Sequence, residues 1–302
     1  MLWKGKHTFA QLSALDSDIG SLPPARLRYF VDAKHGSDGN TGLGGWGNAK
    51  ATYQAGVTAA TVVDNLYRDV DLFITNGEYD EQVVVSGDAQ SASSYGYAIG
   101  RLRIIHAGDF VLLKNSTDDS SYTLKVERSK VEIHGGLFRN YVDSGDFSAV
   151  CFERKTGGGF VLAGLMRGCR VEGRGSAEIG IDLSGTYKVT VEDCVIQGFD
   201  CGVLVAGNSL GSAVDNIVRR CHFTQNTNDI EVGGVSILLL DNNIHADDAT
   251  TKQVTNTARG SRTDTSADIT MFGGMVNAGD LTDCDATGIA HFGVTTNDDV
   301  EW

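Results

Sequence analysis

Three cysteines occupy one repeated frame: an apolar residue, two others, Cys, one residue, then apolar again. It reads Met166-Arg-Gly-Cys169-Arg-Val171, Val191-Glu-Asp-Cys194-Val-Ile196 and Val218-Arg-Arg-Cys221-His-Phe223. The frame returns without cysteine at Ile74…Gly77…Tyr79, Ile105…Gly108…Phe110, Ile133…Gly136…Phe138, Leu239…Asn242…Ile244 and Met271…Gly274…Val276. Anchors therefore fall at 77, 108, 136, 169, 194, 221, 242 and 274, with steps of 31, 28, 33, 25, 27, 21 and 32 residues. The anchor and the residue two later share a strand face, and the three-residue step before the anchor breaks the alternation, as a corner would. Further strands are predicted at Ile179–Leu183, Gly202–Val205, Ile230–Val232 and Ile289–Phe292. Two or three short strands per irregular repeat, with no helix between them, predict a parallel β-helix of about eight coils.

The coils run from about residue 70 to 302. Before them, Tyr29–Val31 reads as a strand, Asp32–Gly45 as turns, and Ala49–Tyr67 as a helix with Tyr53, Val57, Ala60 and Val63 on one side. Residues 29–68 are thus expected to cap the open end of the first coil, within one domain spanning 29–302. Residues 1–28 read as an N-terminal arm. A short helix over His7–Leu15 gathers Phe9, Leu12 and Leu15, and Pro23-Pro24 forces an extended exit. Those two prolines are the chain's only ones, so strand ladders are free to run to the C-terminus.

A formal charge of −14 and the lack of a basic stripe exclude a nucleic-acid partner from the expectations. Neither a signal peptide nor a membrane span is read; the apolar run Val235–Leu240 is too short for a bilayer. The six cysteines, at 151, 169, 194, 201, 221 and 284, lack metal-ligand spacing and are expected to be free, buried thiols. At 169, 194 and 221 they are expected to stack as one inward column that demands limited bulk.

Tyr29-Phe-Val-Asp-Ala-Lys-His-Gly-Ser-Asp-Gly-Asn-Thr-Gly42, Ala51-Thr-Tyr-Gln-Ala55 and Gly77-Glu-Tyr-Asp-Glu81 resemble the opening of many pectin-lyase-like proteins. The match covers about the first third of the chain. It implies an all-β, right-handed parallel β-helix with an N-terminal capping helix. The family includes pectate lyases, polygalacturonases, phage tailspikes and non-enzymatic phage virion proteins, so the resemblance is specific for fold and not for activity.

Four groups of residues offer candidate chemistry. The Asp32…Asp38…Gly42 turn offers oxygens at alternating positions, as calcium needs, but these are also turn formers. Asp200 faintly resembles a polygalacturonase aspartate; without a second carboxylate it reads as a turn residue. Arg167, Glu192, Asp193, Arg219, Arg220 and Asp241 alternate in sign from coil to coil, which reads as a ladder that fixes register. Arg139, Glu172, Gln197, Thr224, His245 and Asn277, beside Arg170 and His222, form outward columns suited to a groove, yet without an aromatic platform. No catalytic, cofactor-binding or metal-binding residue is assigned, and no cofactor is expected.

The resemblance implies a non-enzymatic structural protein of a tailed-bacteriophage virion, a capsid decoration protein or a tail-associated component. It would assemble in the host cytoplasm, form a homotrimer, and attach to the major capsid protein or tail proteins through its arm. The alternative is a polysaccharide-degrading tailspike or lyase on the same fold.

Overall fold

The four central frames fold into a strand, a sharp corner and a second strand, because one residue in the corner adopts a left-handed backbone. Gly135, Gly168, Asp193 and Arg220 fill that position on successive coils, with φ between 52° and 71°. Another corner is turned the same way by Lys130, Ala163, Lys188 and Asp215, with φ of 56–58°. Four-residue corners of this kind let the chain reverse without a loop. The computed structural model describes residues 26–62, 68–86, 100–116, 122–140, 147–153, 161–206, 213–233, 236–241 and 243–245, with the backbone of strands 252–256, 267–272, 275–276, 289–292 and 295–296.

The result is a right-handed parallel β-helix, whose strands among the described residues pair in parallel from coil to coil. The first sheet begins with Leu27–Val31 and stacks Val70–Asp80, Leu102–Asn115, Val131–His134, Leu165–Arg167, Thr190–Glu192, Ala213–Arg219, Ser236–Asp241, Ala267–Phe272 and Ile289–Phe292. A second sheet follows the corner, from Tyr79 through Leu113, Phe138, Val171, Ile196 and Phe223. The third contains Val83–Val85, Tyr122–Val126, Phe147–Phe152 and Asn228–Gly233. Inward side chains stack as rows, and Leu72, Ile104, Ile133, Met166, Val191 and Val218 are fully buried in one of them. A last pairing, Met275–Val276 with Thr295–Thr296, adds a rung that the frame does not announce, because its positions hold no apolar pair.

The capping helix α1 spans Tyr53–Ala60, shorter than the expected 49–67. Its start is delayed because Lys50 pairs with the first strand: Lys50 N–H donates to Phe30, and Asp32 N–H donates to Lys50. Thr52 is the N-cap; residues 63–67 lie outside the described residues. Glu81 accepts from the amides of Tyr53 at 2.7 Å and Gln54 at 2.9 Å, and Asp38 from those of Ala51 and Thr52, both at 2.9 Å. Carboxylates thus sit at the positive end of the helix dipole. The helix buries Tyr53, Gly56, Val57 and Ala60 against the first coils. At Gly56 any side chain would strike Val31, since a Cβ would lie 2.1 Å from its Cγ2.

Three frames sit differently from their expected register, the first because Leu72 and not Ile74 holds the row of Ile104 and Ile133. In the second coil Ile104 and Leu113 occupy the inward rows, not Ile105 and Phe110. Between Thr75 and Gly77 the partner strand advances from Ala107 to Val111, so two extra residues bulge outward and carry Phe110 into solvent, 51% exposed. In the coil after Cys221 the frame is Leu240, Asn243 and His245, one residue later than expected. Asn243 fixes that phase: its amide oxygen accepts from Cys221 N–H at 2.9 Å and its NH2 donates to Val218 at 3.0 Å. The expected His7–Leu15 helix, Asn277, Gly274 and Cys284 lie outside the described residues.

Candidate functional site

The bulge at residues 107–110 and the glycine corner Gly135-Gly136 leave a cleft of about 600 Å³ on the outer surface. His106 and Cys169 lie at its floor, Phe110 at its rim, and Arg139, Arg170 and Glu172 along its wall. The cleft therefore has the aromatic ring that the outward columns lacked in sequence.

Arg139, Glu172, Gln197 and Thr224 do stack in register on four coils. Glu172 is clamped between them. Arg139 Nε donates to it at 2.5 Å, Gln197 Nε2 at 3.3 Å, and Arg170 pairs with its other side. His245 does not belong to this column; it holds the register position of Phe223, a consequence of the phase set by Asn243. His222 stands exposed in the row of Arg170, with Val195 between them.

The charge ladder is real. Arg167, Glu192, Arg219 and Asp241 are successive register partners. Glu192, nearly buried, receives Arg167 at 3.4 Å, Arg220 at 3.2 Å and Arg219. Asp193 receives Arg220 Nε at 2.7 Å and Arg167 at 3.3 Å, and Arg220 holds its carboxyl below the usual range. A second ladder escaped the sequence reading: Arg28, Asp71, Arg103 and Glu132 are also in register, with Arg103 bidentate on Asp71 at 2.7 and 2.8 Å. Its signal was the same alternation of sign, at spacings too unequal to notice.

The cysteines form the expected column. Cys169, Cys194 and Cys221 are free, buried and adjacent in register, and Cys151 and Cys201 are also free and buried. They do more than limit bulk. Each thiol donates to the carbonyl two residues earlier: Arg167 at 3.4 Å, Glu192 at 3.2 Å and Arg219 at 3.4 Å. Those carbonyls point into the corner, where a weak S–H donor suits them.

Below the cysteines, Gly136 leaves space for the His106 ring, which packs edge-on against Phe138 at 5.5 Å. With its proton on Nδ1, His106 donates to the His134 carbonyl at 3.1 Å and accepts the Tyr53 hydroxyl on Nε2 at 3.2 Å. It is hemmed in on every side, although part of the ring opens onto the cleft, and burial pushes its pKa down to about 4. An unfolded histidine titrates near 6.5. Between those values the unfolded chain holds the extra proton, so stability is full above pH 6.5 and falls as pH drops toward 4. Because the cleft admits water, the loss is about 2 kcal/mol. Urea midpoints compared at pH 7 and pH 4.5 should show it, and His106→Phe should flatten it; an equal slope in that variant would count against this origin.

Two of the candidate groups have structural tasks. Asp32 accepts from the amides of Lys34 at 2.9 Å and His35 at 3.1 Å, while Asp38 caps the helix, so both carboxylates of the calcium-like turn organise backbone. Among the described residues no cluster of three or more His, Cys, Asp or Glu fits a metal ion. Asp200 is not a turn residue. It lies within the continuous strand Val195–Ala206, held extended by the buried neighbours Phe199 and Cys201.

No protein-family profile and no curated protein matches the sequence. Solved structures do match. An Escherichia coli protein, ybhc, aligns with a TM-score of 0.58 at 12% identity, covering 92% of this chain and 86% of that one. Rice weevil pectin methyl esterase gives 0.55 at 12% identity, over 96% of both chains. Pectate lyase Pel9A gives 0.50 at 13% identity, over 90% of this chain and 77% of that one. At such identities the likeness shows the fold alone, a parallel β-helix.

Proposed function

We propose that this chain is a non-enzymatic structural component of a tailed-phage particle, a capsid decoration or tail-associated protein held through residues 1–28. One observation carries the non-enzymatic half: the carboxylates at the cleft are bound by arginines, Asp193 by two from neighbouring coils and Glu172 by one from the preceding coil and one from its own strand. Glu172 lies between Arg139 and Arg170, and Asp193 between Arg167 and Arg220. Glycoside hydrolysis by a carboxyl pair needs one member that can carry a proton, and Arg220 holds the Asp193 carboxyl below its usual range, which opposes that role for Asp193. The same contacts tie coil to coil, which serves a rod that bridges subunits. A homotrimer and attachment to capsid or tail proteins complete the proposal. Electron microscopy of purified particles should place this chain at a fixed outer position, and particles assembled with a chain lacking residues 1–25 should lose that density. Full occupancy without those residues would remove the arm from the proposal, and absence from particles would remove the proposal.

The cleft favours one other reading. Its exposed Phe110 and adjacent Arg139 and Arg170 could hold an acidic sugar, and solved neighbours of this fold include pectin methyl esterases and a pectate lyase. Release of methanol, reducing ends or unsaturated uronates from a polysaccharide by the purified chain would establish that reading against ours.

A further inference from the structure

One outward face of the first coils is more apolar than a solvated sheet requires. Phe30 and Phe73 are register partners and stack at 5.4 Å, and Ile105 continues their row. Trp46 packs edge-on against Phe30 at 4.6 Å while remaining 43% exposed, and Leu43 beside it is 41% exposed. Farther along, the same row becomes His134, Arg167, Glu192 and Arg219. The apolar character is confined to the end where the chain enters the rod. A patch of this kind marks a surface that something covers.

The first 25 residues of the chain are suited to cover it. They carry Leu2, Trp3, Phe9, Leu12, Leu15, Ile19 and Leu22, all costly to leave in water. They also arrive at the right place. The chain passes from them into Arg26 and the first strand, and Phe30 lies only about 13 Å farther along that strand. A tethered segment acts at an effective concentration on the order of millimolar, which a second copy in dilute solution does not reach.

We propose that residues 1–25 of the same chain seat on the face formed by Leu43, Trp46, Phe30, Phe73 and Ile105. The arm is then stowed on its own rod in the free protein and released when it engages a partner. The seat concerns the free chain, so it stands or falls apart from the particle reading.

Hydrogen–deuterium exchange on the full-length chain tests it. Amides in residues 1–25 should exchange at least about tenfold more slowly than in a synthetic peptide of those residues. A full-length Leu43→Ser/Trp46→Ser variant, altered only at exposed positions, should return them to the peptide's rates while the strands at 165–167 and 190–192 keep their protection. Peptide-like exchange in the unaltered chain would overturn the proposal, as would protection that the double variant leaves intact. Protection that grows with protein concentration would overturn it in favour of a second copy.

Discussion

Cys194→Phe is expected to destabilise the central coils by about 3 kcal/mol, with Cys194→Ala costing only about 1 kcal/mol. The Cys194 side chain is buried between Cys169 and Cys221, its neighbours in register, and coils stacked by three parallel ladders cannot move apart locally. A phenyl ring has nowhere to go, since backbone amides fix the corner from both sides: Val195 N–H donates to Cys169 at 2.9 Å and His222 N–H to Cys194 at 2.8 Å. Alanine loses weak thiol contacts to the Glu192 and Met166 carbonyls and leaves a small void. Urea unfolding followed by circular dichroism measures both. Equal losses for the two variants would mean that the thiol, rather than its size, is what the corner needs. Loss of a measurable activity in folded Cys194→Ala would turn the column into a site.

A second large effect is expected at Gly136, where valine should cost about 4 kcal/mol from two separable causes. The backbone there has φ of 91°, a conformation that side chains with a Cβ resist. A Cβ would also lie 2.7 Å from His106 Nδ1 and 2.9 Å from its Cε1. The double variant with His106→Ala should recover the steric part alone, giving an interaction energy of about 1–2 kcal/mol in a mutant cycle. Strict additivity would show that the ring and the corner do not meet. Because His106 also accepts the Tyr53 hydroxyl, this position couples the capping helix to the cysteine column.

The fold was legible because its corners repeat with small residues between apolar flanks, and Cys169, Cys194 and Cys221 kept that phase in register. Phase was lost where composition ceased to choose. The run Ser236–Asp241 contains Ile237, Leu238, Leu239 and Leu240, so apolar alternation cannot say which leucine faces inward; the amide of Asn243 decides. Phe110 was misplaced for a related reason: an apolar residue at frame spacing looks the same whether the strand is continuous or bulged. The candidate cleft was half visible. Arg139, Glu172 and Gln197 could be aligned by spacing, but the clamp on Glu172 depends on rotamers that no spacing reveals. Glu81 was read as a family signature. Its work, capping a helix that starts 28 residues earlier, is a long-range contact with no local trace.

The parallel ladders give this chain a mechanical direction. Backbone hydrogen bonds between coils point along the stacking axis, so a pull on the two ends loads the rungs in series, whereas compression presses packed rows together. Such an object bears load well when squeezed and parts at its weakest junction when stretched. The ladders are interrupted between Thr75 and Gly77, twice between Glu172 and Ile179, and between Ala213 and Asn216, and a tear under tension should start at one of these breaks.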